Sequence, residues 1–160
     1  MSSALDESFV HLIVDDDVET VDLLRRHASE LGHAILSVDC SGVYTKEDLL
    51  DELGKALRFP EYYGRNWDAV DECIRDMAWI RAKGYLVLFI ELNVAAQRIP
   101  GEVVNLVDVV DDVIYEWRAE GTPFNVVVEV PSGSLDDSIS LERIVRGGIR
   151  PQFVWSHMGR

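Results

Sequence analysis

The six-residue run at 85–90 (YLVLFI) is the sequence feature that most constrains the fold. A strand with one face in water alternates apolar and polar side chains, whereas every residue of this run is apolar or aromatic. A short run of this kind is typical of a strand in a parallel sheet that is covered on both faces. We therefore expect residues 85–90 to form a central strand with other elements packed against each side.

Strand-like and helix-like segments alternate along the rest of the chain. Strands are predicted at 9–14, 34–38, 85–90 and 123–130, and helices at about 19–31, 45–57 and 101–118, with a further short helix after Asn66. This order indicates an α/β fold with a mainly parallel sheet. Residues 93–98 are interpreted as a linker. In the tail we expect a short helix near 138–145 and assign it no role.

Residues that favour helix ends support these boundaries. Thr45 with Asp48 three positions later forms a weak capping box, and Asn66 is suited to cap the short helix. Pro100 can open the long helix that follows it. Gly32 and Gly121 are natural stops, because glycine readily takes the left-handed conformation that ends many helices.

The sequence is strongly acidic, with a formal net charge of −14 from 29 acidic and 15 basic side chains. Such a surface repels nucleic acid, whose phosphates are bound by Lys and Arg, and attracts basic proteins. No apolar run is long enough to span a bilayer, and the N-terminus lacks the pattern of a secretory signal. We expect a cytoplasmic protein with a cationic partner, and neither nucleic-acid nor membrane binding.

Cysteine and histidine residues give no sign of a metal or catalytic centre. Cys40 and Cys73 lack metal-ligand spacing and do not form a CxxC motif. We interpret both as buried thiols in a reducing compartment, although the sequence leaves a disulfide between them open. The histidines are scattered along the chain. We therefore expect no metal site, no cofactor and no catalytic residue among the cysteines and histidines.

An aromatic loop leads into an acidic helix at residues 59–74. Tyr62, Tyr63 and Trp67 lie next to carboxylates, and large rigid side chains combined with charge are favoured in protein-binding sites. At about 100° per residue, the helix separates an apolar side from a charged side. The apolar side holds Val70, Cys73, Ile74 and Met77, and the charged side holds Asp68, Asp71, Glu72 and Arg75. From charge alone, an ordinary solvated face is the favoured interpretation of this side, because runs of charge usually serve solubility.

The segment 59–69 (FPEYYGRNWDA) resembles the barstar family, small intracellular inhibitors of secreted guanyl-specific ribonucleases such as barnase. The similarity extends over residues 34–130 in the same order of elements, including the EWRAEG sequence at 116–121. The resemblance implies a three-stranded parallel sheet packed with helices and no catalytic activity. It divides the chain into a strand-helix extension at 1–33, a barstar-like domain at 34–130 and a C-terminal extension at 131–160. The first extension could add a parallel strand to one sheet edge.

The resemblance also implies that the loop and the acidic helix bind the ribonuclease. Glu72 stands where the family's prototype has an aspartate that occupies the phosphate site of the nuclease, and Glu116 looks like a further acidic contact. The predicted partner-binding residues are Tyr62, Tyr63, Gly64, Asn66, Trp67, Asp68, Asp71, Glu72, Arg75 and Glu116. Glu72 is one methylene longer than the prototype's residue, Asp71 replaces an aromatic, and Asp76 and Met77 also depart from the prototype. These changes concern the identity of the partner more than the fold.

Three functions are consistent with the sequence. The first is a protein that occludes the active site of a basic, extracellular-type ribonuclease, guanyl-specific and barnase-like. The second is an acidic module that binds another basic protein. The third is an enzyme that uses Asp68 and Glu72 as acid and base, for which no nucleophile or histidine lies nearby in sequence.

A receiver domain is a further reading of the N-terminal region, because three aspartates at 15–17 follow the first strand. A phosphoacceptor receiver also needs a further Asp at a strand end and a Lys at another, and neither has a convincing position in this sequence. We interpret the triplet as acidic residues favoured at the positive end of the following helix.

Overall fold

The computed structural model describes residues 5–14, 18–130 and 153–156. Strands and helices alternate along most of this part of the chain, as predicted. The elements are β1 (Val10–Val14), α1 (Val18–Glu30), β2 (Ala34–Asp39), α2 (Lys46–Ala56), α3 (Trp67–Asp76), β3 (Tyr85–Ile90), α4 (Leu92–Arg98), α5 (Pro100–Glu120), β4 (Phe124–Val130) and β5 (Phe153–Ser156).

The strands form one sheet in the order β2-β3-β4-β1-β5, and every neighbouring pair is parallel. β2, β3 and β4 make up the three-stranded sheet that the family resemblance implies. β1 extends this sheet beside β4, with Val10 opposite Val126, as expected for the N-terminal extension. β5 then pairs with β1, His11 lying opposite Phe153, so the tail supplies a strand that the sequence did not predict.

Strand β3 is covered on both faces, which confirms the prediction for this run. Its side chains alternate between two hydrophobic clusters, since successive residues of a strand point to opposite faces. Tyr85, Val87 and Phe89 join the larger cluster with helices α2 to α5, whereas Leu86 and Leu88 pack with residues of α1 in the smaller one. The sheet therefore separates α1 from the other four helices.

The predicted caps are present at both acidic helices. The Asp48 N–H donates to Thr45 Oγ1 at 3.1 Å and the Thr45 N–H donates to Asp48 Oδ2 at 3.2 Å, which completes the capping box of α2. Asn66 Oδ1 accepts the Ala69 N–H at 2.8 Å and caps α3. Pro100 occupies the first turn of α5, and Gly121 ends this helix with φ of 82°.

The interpretation of residues 93–98 as a linker is wrong, because Leu92–Arg98 forms helix α4. Leu92, Ala95 and Ala96 are buried at helical spacing, and the Ile99 N–H donates to the Ala95 carbonyl at 2.8 Å. A helix of seven residues spans about two turns, which is too short for a visible apolar period. The helix expected near 138–145 lies outside the described residues.

The residues before β1 are fixed to β4 by the buried side chain of Asn125. Asn125 Nδ2 donates to the Glu7 carbonyl at 2.9 Å, and its Oδ1 accepts the Phe9 N–H at 3.1 Å. His11 Nε2 lies 3.0 Å from the same Oδ1. The N-terminal segment is thus hydrogen-bonded to the interior of the sheet.

The burial of the two cysteines and the absence of a membrane-spanning run were also predicted from the sequence. Cys40 and Cys73 are both buried free thiols, and burial raises the pKa of Cys40 to about 12. Within 5–14, 18–130 and 153–156, no helix is long and apolar enough to cross a membrane.

Candidate protein-binding surface

The loop between α2 and α3 is held at both ends by hydrogen bonds. The Phe59 N–H donates to the Gly54 carbonyl at 2.8 Å, and the Tyr63 N–H donates to the Pro60 carbonyl at 2.9 Å. Near the other end, Arg65 forms an ion pair of 2.6 Å with Asp51 on α2. A loop fixed in this way needs little ordering on binding, which favours affinity.

The two adjacent tyrosines of this loop point in different directions. Tyr62 is 72% exposed, whereas Tyr63 is half-buried against the core. The Tyr63 hydroxyl donates to the Leu50 carbonyl at 3.0 Å, and burial raises its pKa to about 12. A Cβ atom on Gly54 would lie only 2.9 Å from the Tyr63 ring, so glycine provides the space for this ring. Tyr62 is available to a partner, and Tyr63 fixes the loop to α2.

Trp67 at the start of α3 is also half-buried. Its Nε1–H donates to Glu102 Oε1 at 2.9 Å, which joins the beginning of α3 to the first turn of α5. This hydrogen bond holds the pKa of the Glu102 carboxyl below its usual value. Sequence reasoning placed Trp67 among the partner contacts and did not single out Glu102, because the two residues are distant in sequence.

Helix α3 has the two faces that its sequence predicts. Val70, Cys73 and Ile74 are buried, whereas Asp68 and Glu72 are exposed one turn apart. Among the described residues, neither of these two carboxylates forms an ion pair. Gly64 and Asn66 are likewise exposed beside Tyr62. Tyr62, Asp68 and Glu72 are therefore all accessible from outside the molecule.

Arg75 joins two other predicted partner-binding residues, Asp71 and Glu116. Its Nε lies 2.9 Å from Asp71 Oδ2, and its Nη1 lies 3.1 Å from Glu116 Oε1. The hydrogen bond to Asp71, with the charges of both carboxylates, raises the pKa of Arg75. The guanidinium thus bridges α3 and α5 within the same molecule.

Trp117 sets the position of Glu116 relative to α3. Its side chain is 6% exposed, and its Nε1–H donates to the Ile74 carbonyl at 3.0 Å. The indole also stacks on Phe124, with ring centroids 5.5 Å apart. Trp117 thus anchors α5 against α3, and the neighbouring Glu116 carboxylate lies 3.1 Å from Arg75 Nη1.

A shallow cleft of about 270 Å³ continues this surface along α5. Arg75, Glu116 and the exposed Tyr115 are among its lining residues. Asp111 also lines the cleft, and its burial, together with the nearby Asp112 and Asp108, raises its pKa. Tyr115 gave no signal in the sequence beyond its position outside the apolar stripe of the helix. No metal-binding group of His, Cys, Asp or Glu is found in the described parts of the chain.

Fold and surface together define an α/β domain whose helix α3 exposes carboxylates beside the exposed aromatic ring of Tyr62. The sequence model of the family described as Barstar (barnase inhibitor) matches residues 33–129, more than half of the chain. This chain belongs to the barstar family. No curated protein is similar enough in sequence to give a match.

Two solved structures give matches that cover most of this chain. A Walker-type ATPase, PABY2304 of Pyrococcus abyssi, is 14% identical with a TM-score of 0.52, and the match covers 96% of this chain and 50% of that one. A chain from the structure of Drosophila ORC bound to DNA is 12% identical with a TM-score of 0.48, covering 86% and 78% of the two chains.

The likeness to the ATPase concerns the fold alone. This chain spans about half the length of the ATPase chain. The phosphate-binding pattern G-x-x-x-x-G-K-[ST] does not occur in the sequence of the present chain.

Proposed function

We propose that this protein inhibits a basic, guanyl-specific ribonuclease by covering the active site with Tyr62 and the exposed side of α3. The family match over residues 33–129 carries the proposal, because the barstar family is described as an inhibitor of barnase. Asp68 and Glu72 are exposed on that helix, as such a role requires. An inhibitor of this kind catalyses no reaction. We expect it to act in the cytoplasm, where Cys40 and Cys73 stay reduced.

A carboxylate on a rigid helix can replace the phosphate group of an RNA substrate. Ribonucleases bind phosphate with Arg and Lys, and these side chains form short, charge-assisted hydrogen bonds with carboxylates. Asp68 and Glu72 are one turn apart on α3, and Asn66 and Val70 fix this helix at its cap and in the core. The net charge of −14 also favours rapid association with a cationic enzyme.

Inhibition of RNA cleavage tests the proposal directly. The purified full chain is titrated into barnase and other basic guanyl-specific ribonucleases, and hydrolysis of a fluorogenic RNA substrate is followed. We expect complete inhibition of at least one enzyme near one inhibitor per nuclease, with slower association at 0.5 M than at 0.05 M NaCl because salt screens steering by charge. A basic ribonuclease of unrelated fold serves as control. If every member of the panel keeps its activity at excess inhibitor, the proposal is wrong.

A second candidate function is an acidic interaction module for another basic protein. The observation that favours it is the ion pair between Arg75 and Glu116, which occupies one of the acidic contacts expected for the nuclease. The departures from the family's prototype at Asp71, Asp76 and Met77 lie on the same helix or at its end. Calorimetry combined with the RNA cleavage assay separates the two functions. A module of this kind binds a basic protein, which calorimetry detects, without stopping RNA cleavage.

The two loop tyrosines provide a matched pair of variants. Tyr62→Ala is expected to weaken inhibition by about 10-fold or more, since exposed aromatics are frequent hot spots, without changing stability. Tyr63→Phe should cost about 1 kcal/mol of unfolding free energy, because its hydrogen bond to the Leu50 carbonyl is lost, and should leave inhibition unchanged. Inhibition constants and urea midpoints are measured for both variants. The opposite pattern would show that Tyr63, rather than Tyr62, contacts the nuclease.

A further inference from the structure

Arg75 is a cation within the acidic surface proposed to bind a cationic partner. It follows Asp71 by one helical turn and faces Glu116 on the neighbouring helix, at 2.9 and 3.1 Å from the respective carboxylate oxygens. The side chains of Arg75 and Asp71 are each 33% exposed, and that of Glu116 is 55% exposed. All three groups therefore remain accessible to a bound protein while they are paired with each other.

This pairing divides the carboxylates of the surface into two kinds. Asp71 and Glu116 already share one guanidinium, whose planar group of N–H donors suits carboxylate oxygens. A cation from a partner gains less from approaching them, because it also meets the positive charge of Arg75. Asp68 and Glu72 are exposed and form no ion pair with any other described residue.

We propose that Arg75 is a specificity-determining residue, which neutralises Asp71 and Glu116 and directs the cations of a basic partner to Asp68 and Glu72. This inference rests on the proposed function and names the kind of ribonuclease selected. The preferred enzyme presents a compact pair of basic side chains, spaced by about one helical turn of 5.4 Å, toward α3. An enzyme that places a cation opposite Glu116 is disfavoured by repulsion from Arg75, which is discrimination by an unfavourable contact.

A double-mutant cycle tests this role with the full chain. The wild type, Arg75→Ala, Glu116→Ala and the double variant are compared as inhibitors of the panel of guanyl-specific ribonucleases. We expect Glu116→Ala to change the inhibition constant less than about 3-fold in the wild type. In the Arg75→Ala background the same change should cost about 10-fold or more for enzymes with a cation opposite Glu116.

Arg26→Ala is the matched control, because it removes an equal charge from α1, on the other side of the sheet. Circular dichroism and urea unfolding establish that each variant stays folded. If the wild type inhibits but Glu116→Ala has equal effects in both backgrounds, Arg75 does not set specificity, and the proposed function still stands. If the panel is not inhibited at all, the proposed function fails.

A nona-arginine peptide tests the role of Arg75 in that second case, since it needs only accessible carboxylates. At low salt, Arg75→Ala should strengthen peptide binding by several-fold more than Arg26→Ala, and Glu116→Ala should reduce this difference, leaving the part due to Asp71. Equal strengthening by the two arginine variants, or a gain that is undiminished without Glu116, would overturn the inference whether or not a ribonuclease is bound.

Discussion

Replacing Glu72 by alanine is expected to weaken ribonuclease inhibition by about 30-fold to several thousand-fold. Removing one partner of a charge pair buried in an interface costs about 2–5 kcal/mol, because the other charge stays desolvated and unpaired. Barnase with its inhibitor barstar is itself one of the complexes on which such values were measured. Asp68→Ala should have an effect in the same direction. Inhibition constants from RNA cleavage measure both changes. Both variants should unfold in urea with the same stability as the wild type, since both side chains are exposed.

Asp22→Ala is the control for this prediction, because it removes the same charge from an exposed site on α1. We expect it to alter the inhibition constant by less than about 2-fold, mainly through steering. Glu72→Asp restores the shorter carboxylate of the family's prototype and reports whether reach determines the choice of target. Unchanged inhibition by both Asp68→Ala and Glu72→Ala would place the binding surface elsewhere on the molecule.

Replacing Trp117 by alanine is expected to reduce the unfolding free energy by about 3–5 kcal/mol, the usual cost of truncating a buried aromatic side chain. The substitution removes the ring contacts of the indole with Tyr85 and Phe124 and leaves the Ile74 carbonyl without its donor. Unfolding in urea is followed by far-ultraviolet circular dichroism, because removal of a tryptophan alters the fluorescence signal itself.

Trp117→Phe separates the two contributions of this residue. Phenylalanine keeps an aromatic ring in the core but cannot donate to the Ile74 carbonyl, so a cost nearer 1–2 kcal/mol is expected from the lost hydrogen bond and smaller ring, about the value for an unsatisfied buried acceptor. A loss below about 1 kcal/mol for Trp117→Ala would contradict the packing described for α5.

Local chemistry explains why much of the fold could be predicted from the sequence. The apolar run of β3 has few alternatives to a covered strand, and Thr45, Asn66 and Gly121 mark helix ends through contacts with residues close in sequence. Helix α4 was missed because it presents only a short set of buried residues. Strand β5 was missed because its pairing with β1 joins opposite ends of the chain.

The two faces of α3 were predictable from the sequence, but the ion pairs on its charged side were not. The helical period correctly separated exposed Asp68 and Glu72 from buried Val70 and Ile74. No period applies to the loop, so the sequence could not show that Tyr63 turns inward. The contact between Arg75 and Glu116 depends on how α5 packs against α3, which is a tertiary arrangement without a local signature.

The uniform apolarity of β3 means that no alternation of polar and apolar residues fixes its register. In an alternating strand, a slip by one residue exposes the apolar set to water, but in β3 it would exchange one buried row for another. The Tyr85 hydroxyl distinguishes the two rows, because it donates to the Ile80 carbonyl at 2.7 Å on the side of the larger cluster. A slip would turn this hydroxyl toward α1 and leave the Ile80 carbonyl without that donor. The hydrogen bond of a single phenolic hydroxyl thus favours one register of the strand over the other.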